Sequence, residues 1–397
     1  MKIQRLRVRR LTGTMTTDGP LWEERLVRPI DVYPEYRRDP WRTGGEQVDD
    51  RHFRMTQDFL EISTDDGITG VAGPLWPDPA RMVLTQLSHL LVGQDPLATE
   101  RLWDQVHRFQ VHGRQGDAMI ALSAVDCALW DIKGQALGQP LGRLLGGPTR
   151  TEVPAYASML GFAVEDLGKV RDRALQYKGL GFPAQKWFFR HGPMSGHEGL
   201  RKNVGLVRTL RETLGDDYDI MLDCWQSMSF DYAVDLCQRI EEYRPRWIEE
   251  VFMPDRIDSH VKLKAKTRIP LAGAEHEYTR WGFKRFVEKD ALDVLQPDIY
   301  WCGGLSETVK IAAYATVHDL ITIPHGHSTP MGIHFSVTQS PIHTPYQEYL
   351  VKWNDIHMHF LAHPVRPVNG AIRLPEAPGA QMALDPEKIE HSEEVRV

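Results

Sequence analysis

Five ionisable side chains recur at nearly regular intervals in the second half of this 397-residue chain, each at the end of an apolar segment. They are Asp223, Glu249, Glu275, Asp298 and His325, and the intervals between them are 26, 26, 23 and 27 residues. Each interval is about the length of one strand-plus-helix unit, so strands that end in these residues would bring all five side chains to the same rim. The C-terminal rim of a barrel is where enzymes on that fold place their chemistry.

Asp223, Glu249 and Glu275 are three carboxylates that would repel one another at one rim unless a cation neutralised them. Oxygen ligands suit a hard ion, either Mg²⁺ or, as the alternative, Mn²⁺. Such an ion keeps positions open for substrate and acts as a Lewis acid. A single acid of this kind more often forms a salt bridge or a helix cap, but three at matched positions favour a metal site.

His325 follows an apolar segment whose neighbour ends in Asp298. On a barrel these two side chains would be adjacent, and a carboxylate fixes the tautomer of an imidazole and raises its basicity. The pattern predicts that His325 is a general acid or base. His327 is a poorer candidate because it lacks the matching interval.

Lys186 and Glu348 lie in two further strand-like segments, and each has two interpretations. Lys186 either neutralises a substrate carboxylate or is a second acid/base on the opposite face, unless it is simply a solvated lysine. Glu348 either hydrogen-bonds a developing enediolate or forms a structural ion pair.

Alternating apolar segments predict eight strands, at residues 153–157, 182–188, 219–224, 247–251, 270–275, 294–299, 321–326 and 346–351. Helical patterns lie in most of the gaps, at 165–177, 198–214, 232–243, 280–289 and 305–317. This alternation predicts an α/β fold, a (β/α)₈ barrel. A doubly wound open sheet is the alternative, although no G-x-G-x-x-G motif follows the first strand.

The first 115 or so residues have a different, α+β pattern. A strand is predicted at 3–12, a hairpin with an Asp-Asp-Gly turn at 59–72, and helices at 79–91 and 98–111. Between the first strand and the hairpin lies a long loop, about 17–54, which is rich in Arg, Tyr and Trp. Loops of that length are usually functional or disordered.

The composition excludes several classes of protein. There are 47 Lys and Arg against 54 Asp and Glu, for a net charge of −7, and no long basic run, which argues against nucleic-acid binding. No apolar stretch is long enough for a membrane span, and the first residues lack the apolar core of a signal peptide. The four scattered cysteines form no C-x-x-C pair. We therefore expect a cytoplasmic protein with reduced thiols, no structural zinc, and neither nucleic acid nor membrane as a partner.

The motifs around these residues resemble those of the enolase superfamily, in its mandelate racemase subgroup. The matching stretches are Leu222-Asp223-Cys224-Trp225-Gln226-Ser227, Trp247-Ile248-Glu249-Glu250, Gly273-Ala274-Glu275-His276, Gln296-Pro297-Asp298, Pro324-His325-Gly326 and the helix around Ala124–Gly134. The resemblance runs from the hairpin to about residue 370. Within the subgroup the chain is most similar to acid-sugar dehydratases of the L-rhamnonate dehydratase type.

This resemblance implies an N-terminal capping domain over 1–115, a modified barrel over 116–365, and a segment, 366–397, that returns to the cap. It also implies that Asp223, Glu249 and Glu275 bind Mg²⁺ and that Asp298 and His325 form a catalytic dyad. The implied reaction removes the α-proton of a sugar acid and then its 3-hydroxyl, giving a 2-keto-3-deoxy acid. His325 would serve as base and then as acid, and Lys186 and Glu348 would support the intermediate.

Two other readings of the same residues are open. Racemisation or epimerisation of a 2-hydroxy acid would make Lys186 catalytic, because it needs an acid/base on each face. A barrel that only binds its ligand is the second reading, and the complete set of ligands argues against it.

The N-terminal loop departs from the dehydratase pattern, which leaves the sugar open. Where those enzymes carry a substrate-contacting His, this chain has Arg25 or Arg28. The residues expected to contact substrate are Arg28, Tyr33, Arg42 and His276. The expected ligand is a small sugar acid, and we expect the chain to form a homo-oligomer.

Overall fold

A computed structural model describes residues 1–38 and 45–396. Its N-terminal part contains β1 (Ile3–Thr16), β2 (Gly45–Asp49), β3 (His52–Thr64), β4 (Thr69–Leu75), α1 (Pro77–Met82), α2 (Ser88–Leu91) and α3 (Thr99–Phe109). The rest contains α4 (Asp117–Ala136), α5 (Leu141–Leu144), β5 (Glu152–Ser158), α6 (Leu167–Gly179), β6 (Ala184–Phe188), α7 (Gly196–Leu214), β7 (Asp219–Asp223), α8 (Phe230–Ile240), β8 (Trp247–Glu249), α9 (Ile257–Lys264), β9 (Leu271–Gly273), α10 (Thr279–Glu288), β10 (Val294–Leu295), α11 (Leu305–Thr316), β11 (Ile321–Thr322), α12 (Thr329–Ser336), β12 (Gln347–Leu350), α13 (Val351–His357), β13 (Ala371–Arg373) and β14 (His391–Glu394).

The N-terminal strands form an antiparallel sheet in the order β14-β1-β3-β2, with β4 on the other side of β3. Leu6 and Val8 of β1 are two residues apart and are both buried on one face of the sheet, because successive side chains of a strand point to opposite faces. The C-terminal strand β14 pairs with β1, with Leu11 opposite Ser392. The last residues of the chain therefore lie against its first strand.

The second sheet has eight parallel strands in the order β11-β10-β9-β8-β7-β6-β5-β12, with β13 antiparallel on β5. Its inner side chains form a separate buried cluster to which every strand or the residues beside it contribute: Tyr156, Ala184, Met221, Trp247, Ala272, Val294, Ile321, Ile323 and Tyr346. A packed interior built from all eight strands is the core of a barrel rather than of an open sheet. The predicted α/β barrel with an N-terminal α+β unit is confirmed, and the doubly wound alternative is wrong.

Helix α4 connects the N-terminal sheet with the second half of the chain, and nearly all of its residues are buried. Asp131 accepts hydrogen bonds from the backbone of Val71 in the first sheet and of Ala380 near the C-terminus, at 3.0 and 2.8 Å. Trp130 donates to the Ser306 hydroxyl of α11 at 2.8 Å. Within the described residues, no helix is long and apolar enough to cross a membrane.

The structure differs from the predicted elements in several respects. The expected loop at 17–54 contains β2 and the start of β3, which the polar residues of both strands hid. The helix expected at 79–91 begins at Pro77 and is interrupted by a π-helical turn, Val83–Leu87. Helix α9 was not predicted, because charged residues of Ile257–Lys264 obscure its short apolar face. Most barrel strands are shorter than predicted, because apolar residues continue beyond the ladder toward the rim.

Glycine is required in the turn that leads from β10 into α11. Gly304 has φ of +88°, and a Cβ there would lie 2.4 Å from Asp126 Oδ2, which accepts a hydrogen bond from the backbone of Ser306 at 2.9 Å. We expect Gly304→Ala to lower the free energy of unfolding by about 1–3 kcal/mol, measured by urea denaturation. Gly67→Ala is the control, since Gly67 has φ of +82° and no atom within 4 Å of its Cβ position. Equal losses in the two variants would contradict this explanation.

Candidate active site

Strand pairing places the predicted acids side by side at the C-terminal rim. Asp223 and Glu249 are the last residues of β7 and β8 and are direct partners in the parallel ladder. Glu275 lies two residues beyond β9, and Lys186 and Glu348 are on β6 and β12. All five side chains are buried.

Lys186 lies within the carboxylates as a fixed cation. Its Nζ is 3.2 Å from Asp223 Oδ2 and 2.8 Å from Glu348 Oε1, and it also donates to Glu249 Oε1. Burial opposes the charged form, but Glu249, Glu348 and Asp223 outweigh it and raise the pKa of Lys186 well above its usual value. The lysine has no exposed surface and does not line the cavity described below. A solvated lysine is therefore the one interpretation that this geometry contradicts.

The negative charges of the three predicted metal ligands are only partly neutralised by their neighbours. Burial, together with repulsion from neighbouring acids, raises the pKa of Asp223 to about 6, of Glu249 to about 8 and of Glu275 to about 7, although Lys186 acts against this shift. Glu275 Oε2 is buried without a hydrogen-bond donor. A divalent cation bound by these oxygens would relieve both penalties, so the residues present fit Mg²⁺.

The ligand atoms nonetheless form two closer groups among the described residues. Asp298, His325 and His327 make one group and Glu250, Glu275 and His276 the other, with all ligand atoms of a group within 4.8 Å of one another. Of the predicted metal ligands only Glu275 belongs to either group, since Asp223 and Glu249 are held by Lys186. The assignment of Asp223, Glu249 and Glu275 to the metal stays a prediction.

His325 and Asp298 meet as the sequence predicts. His325 Nδ1 lies 2.7 Å from Asp298 Oδ2, and the other carboxylate oxygen accepts a hydrogen bond from the backbone of Tyr300 at 2.7 Å. Burial disfavours the Asp298 carboxylate, but His327 and His325 outweigh it and lower its pKa to about 2. His325 Nε2 is 3.5 Å from Glu275 Oε2. The free nitrogen of the imidazole thus faces the carboxylate cluster.

The charge state of His325 depends on Glu275. Burial opposes the charged imidazolium, but Glu275 and the hydrogen bond to Asp298 raise the pKa of His325 to about 10. Since Glu275 is the largest raising cause, a cation on that carboxylate would lower the pKa of His325 and favour its basic form.

Glu250 is a residue of this site that the sequence reasoning missed. Its Oε2 lies 2.9 Å from His276 Nδ1, and its Oε1 accepts a hydrogen bond from the backbone of Ala274 at 3.0 Å. Burial opposes the charged form of His276, but Glu250 outweighs it and raises the pKa of His276 to about 9. The adjacent acids in Trp-Ile-Glu-Glu were the available signal, but only one of them matched the spacing.

Strained backbone directs several of these side chains. Trp225, Gln226, Glu250 and Ala274 have φ of 41°, 64°, 47° and 74°, in the left-handed region that non-glycine residues rarely adopt. Glu250 and Ala274 adjoin the predicted ligands Glu249 and Glu275, and Trp225 and Gln226 lie two and three residues after Asp223. Such strain, on the order of 1–3 kcal/mol per residue, is typical of functional sites.

A cavity of about 560 Å³ opens beside these groups. Its ionisable lining residues include Asp223, Glu275, His276, His325 and His327. Its apolar lining residues are Leu26, Leu75, Trp76, Leu160, Phe188, Trp225, Trp301, Leu350 and Trp353. The cavity lining therefore combines acidic and basic groups with a larger set of apolar side chains.

The four residues predicted to contact substrate differ in where they lie relative to the cavity. Arg28 and His276 line the cavity, and Arg28 also donates to the backbone carbonyl of Tyr36 at 2.7 Å. Tyr33 is 57% exposed and is not among the lining residues. Arg42 lies outside the described residues. The roles of all four stay predictions.

Trp301 lines the cavity beside the imidazoles and was not predicted as a site residue. Its ring centroid lies 5.4 Å from that of His276, 5.2 Å from that of His325 and 4.9 Å from that of His327. An indole in contact with three imidazoles excludes water from one side of the cavity.

Two family models match the chain. The description "Enolase C-terminal domain-like" applies to residues 169–388, more than half of the chain. The description "Mandelate racemase / muconate lactonizing enzyme, N-terminal domain" applies to residues 37–146.

Individual proteins agree with these matches. L-rhamnonate dehydratase from Saccharopolyspora erythraea is 32% identical, with 98% of this chain and 97% of that protein covered. Crystal structures of L-rhamnonate dehydratase from Gibberella zeae, alone and complexed with Mg, give TM-scores of 0.83 and 0.81 at 29% and 28% identity, covering 98% of this chain and 94% and 95% of theirs.

A racemase from Streptomyces coelicolor with bound magnesium is also similar in structure. Its TM-score is 0.79 at 26% identity, with 98% of both chains covered. The matching family models, together with the barrel and the cluster of acids at its rim, identify the family: this chain belongs to the mandelate racemase / muconate lactonizing enzyme family of the enolase superfamily.

Proposed function

We propose that this protein is a Mg²⁺-dependent hydro-lyase that dehydrates a sugar acid to a 2-keto-3-deoxy acid. The observation that carries the proposal is the His325–Asp298 pair, whose free nitrogen faces Glu275 inside a cavity lined by further carboxylates. Similarity to L-rhamnonate dehydratases over nearly the whole chain supports the same reaction.

Asp223, Glu249 and Glu275 would hold the ion. When bound, Mg²⁺ stabilises the negative charge that develops on the substrate carboxylate as the α-proton leaves. The protein's own contribution is to keep this charge away from water, since all three acids are buried and two of them, Asp223 and Glu275, line the cavity. A low-dielectric site strengthens every electrostatic interaction in it.

His325 removes the α-proton through Nε2. Its Nδ1 is bonded to Asp298, whose low pKa keeps it ionised, so the imidazole holds the tautomer with a proton on Nδ1. Asp298 also stabilises the imidazolium that results. General-base catalysis of this kind contributes about 10²–10⁴-fold to a rate.

Lys186 and Glu348 support the site without lining the cavity. Lys186 balances the acids, and Glu348 is fixed by Lys186 and by a hydrogen bond from the backbone of Gly326 at 2.8 Å. Neither side chain lines the cavity. This placement gives less support to the racemase reading, which requires Lys186 to exchange a proton with the substrate.

The substrate is an aldonate like L-rhamnonate. The similarity to an L-rhamnonate dehydratase supports this choice. The apolar side chains of Phe188, Leu350 and Trp353 also suit the less polar end of such an acid. Arg28 at the mouth of the cavity is the candidate contact for its hydroxyl groups. Self-association stays a prediction from the sequence.

A substrate screen tests this function directly. Purified protein with Mg²⁺ is incubated with a library of aldonic and aldaric acids, and 2-keto-3-deoxy products are assayed. We expect L-rhamnonate or a close stereoisomer to react. If no acid is dehydrated but the α-proton of some acid exchanges in D₂O, the epimerase reading replaces this one.

A further inference from the structure

A second imidazole is hydrogen-bonded to the carboxylate of the proposed dyad. His327 Nδ1 lies 3.1 Å from Asp298 Oδ2, the same oxygen that His325 Nδ1 approaches at 2.7 Å. The two ring centroids are 6.2 Å apart with an angle of 37° between the planes. Asp298 therefore holds two imidazoles that both line the cavity.

The position of His327 is set by a tight turn and by aromatic packing. The turn Gly326–Ser328 is held by the Ser328 hydroxyl, which donates to the backbone carbonyl of His325 at 2.9 Å. The His327 ring contacts Trp301, Tyr300 and His357, with centroid distances of 4.9, 5.4 and 4.2 Å. A ring held on three sides has one orientation toward the cavity.

The bond to Asp298 also sets which nitrogen of His327 is available. An ionised carboxylate accepts a hydrogen bond from Nδ1–H, so the proton stays on Nδ1 and Nε2 is the nitrogen that can exchange a proton elsewhere. A histidine that served only to satisfy Asp298 would need no contact with the cavity, whereas this ring lines it.

Dehydration requires two proton transfers on neighbouring carbon atoms, one from C2 and one to the 3-hydroxyl. Among the other ionisable groups that line the cavity, Asp223 and Glu275 are proposed metal ligands and His276 is paired with Glu250. Arg28 and His357 also line it. A guanidinium does not release its proton in proteins, and burial lowers the pKa of His357 well below its usual value, so its neutral imidazole is a poor acid. Lys186 does not reach the cavity. His327 is thus the best-placed second group beside His325.

We propose that His327 is the catalytic acid that protonates the departing 3-hydroxyl while His325 takes the α-proton. This proposal rests on the dehydratase function proposed above, and it assigns to His327 the acid step that the family resemblance assigns to His325. The C2–H bond breaks to His325 Nε2, and its electron pair is delocalised into the substrate carboxylate as an enediolate that can also be reprotonated at C2. That electron pair then forms the C2–C3 double bond as the C3–O bond breaks and His327 Nε2 gives its proton to the oxygen, which leaves as water. Tautomerisation then moves the enol proton to C3, and His325 returns the proton it took to His327 through solvent.

The test uses His327→Asn, which keeps a nitrogen donor near Asp298 but has no proton to transfer. The substrates are L-rhamnonate and its 3-deoxy-3-fluoro analogue, whose fluoride leaves without full protonation, and exchange at C2 is followed in D₂O. We expect dehydration to fall by about 10²–10⁴-fold. Fluoride release and C2 exchange should stay within about threefold of the parent protein. His325→Asn should lose all three.

Each other outcome overturns the acid role. Equal losses of dehydration, fluoride release and exchange would make His327 a positioning residue for the dyad. No loss at all would make it a spectator. If the parent protein dehydrates none of the acids screened, the dehydratase function fails and the acid role fails with it; an active parent with an unaffected variant rejects the acid role alone.

A measurement without substrate checks the geometry. The low-field proton NMR spectrum of the Mg²⁺-loaded protein should contain two imidazole Nδ1–H resonances at Asp298, of which His327→Asn removes one and Asp298→Asn removes both. Absence of a resonance that depends on His327 would overturn the shared-carboxylate arrangement on which the proposal depends.

Discussion

His325→Asn is expected to reduce dehydration by about 10²–10⁴-fold and to abolish exchange of the α-proton, because the variant has no basic nitrogen facing Glu275. An asparagine amide can still donate to Asp298 in place of Nδ1, so the fold around the site should be kept. Rates of product formation and of C2 exchange in D₂O measure the effect. Since the base acts only in the chemical step, the loss should fall on kcat rather than on KM.

His197→Asn is the matched control for this experiment. His197 is exposed near the start of α7 and is not among the residues that line the cavity. It should react like the parent protein. Retention of α-proton exchange by His325→Asn would show that another group is the base and would remove the main support for the proposed mechanism.

Glu275→Gln is expected to abolish Mg²⁺-dependent activity and most of the Mg²⁺-dependent stabilisation. The buried Oε2 of Glu275 has no hydrogen-bond donor, so its ionised form needs a cation that an amide does not. In the parent protein, Mg²⁺ at 100 times its dissociation constant should stabilise the fold by about 2.7 kcal/mol. Thermal denaturation at a series of Mg²⁺ concentrations measures this shift, and the variant should respond only at far higher concentrations.

Glu277→Gln provides the control at the same turn. Glu277 is equally buried, but it accepts a hydrogen bond from the backbone of Tyr278 at 2.8 Å and belongs to neither ligand group. Burial raises the pKa of Glu277, so its neutral isostere should cost little stability. A Mg²⁺ response that is equal in the two variants would exclude Glu275 as a ligand.

Regular spacing made most of this site predictable. Because parallel strands in a barrel start and end at common levels, an ionisable residue at each strand end implies convergence before any coordinates are known. The pairs Asp223–Glu249 and Asp298–His325 lie together as that argument predicts. The same periodicity predicted the barrel, since apolar strands and amphipathic helices alternated through the second half of the chain.

Residues off that spacing were missed or undervalued. Glu250 directly follows a residue that fitted the interval, and a strand's alternation should direct it away from the site. Its φ of 47° turns it back toward His276. His327 was set aside for lacking the interval, yet the tight turn after His325 returns it to Asp298. A short turn and a left-handed residue have no periodic signal in a single sequence.

The order of residue types was enough to predict that the five regularly spaced side chains reach one rim, because strand periodicity and unit length depend on that order alone. Which groups each of these side chains contacts could be seen only in the tertiary structure. Lys186 lies against Asp223 and Glu249, Glu275 faces His276 and His325, and Asp298 accepts from two imidazoles. These contacts depend on burial and on electrostatic balance among groups far apart in the chain, and local patterns do not encode that balance.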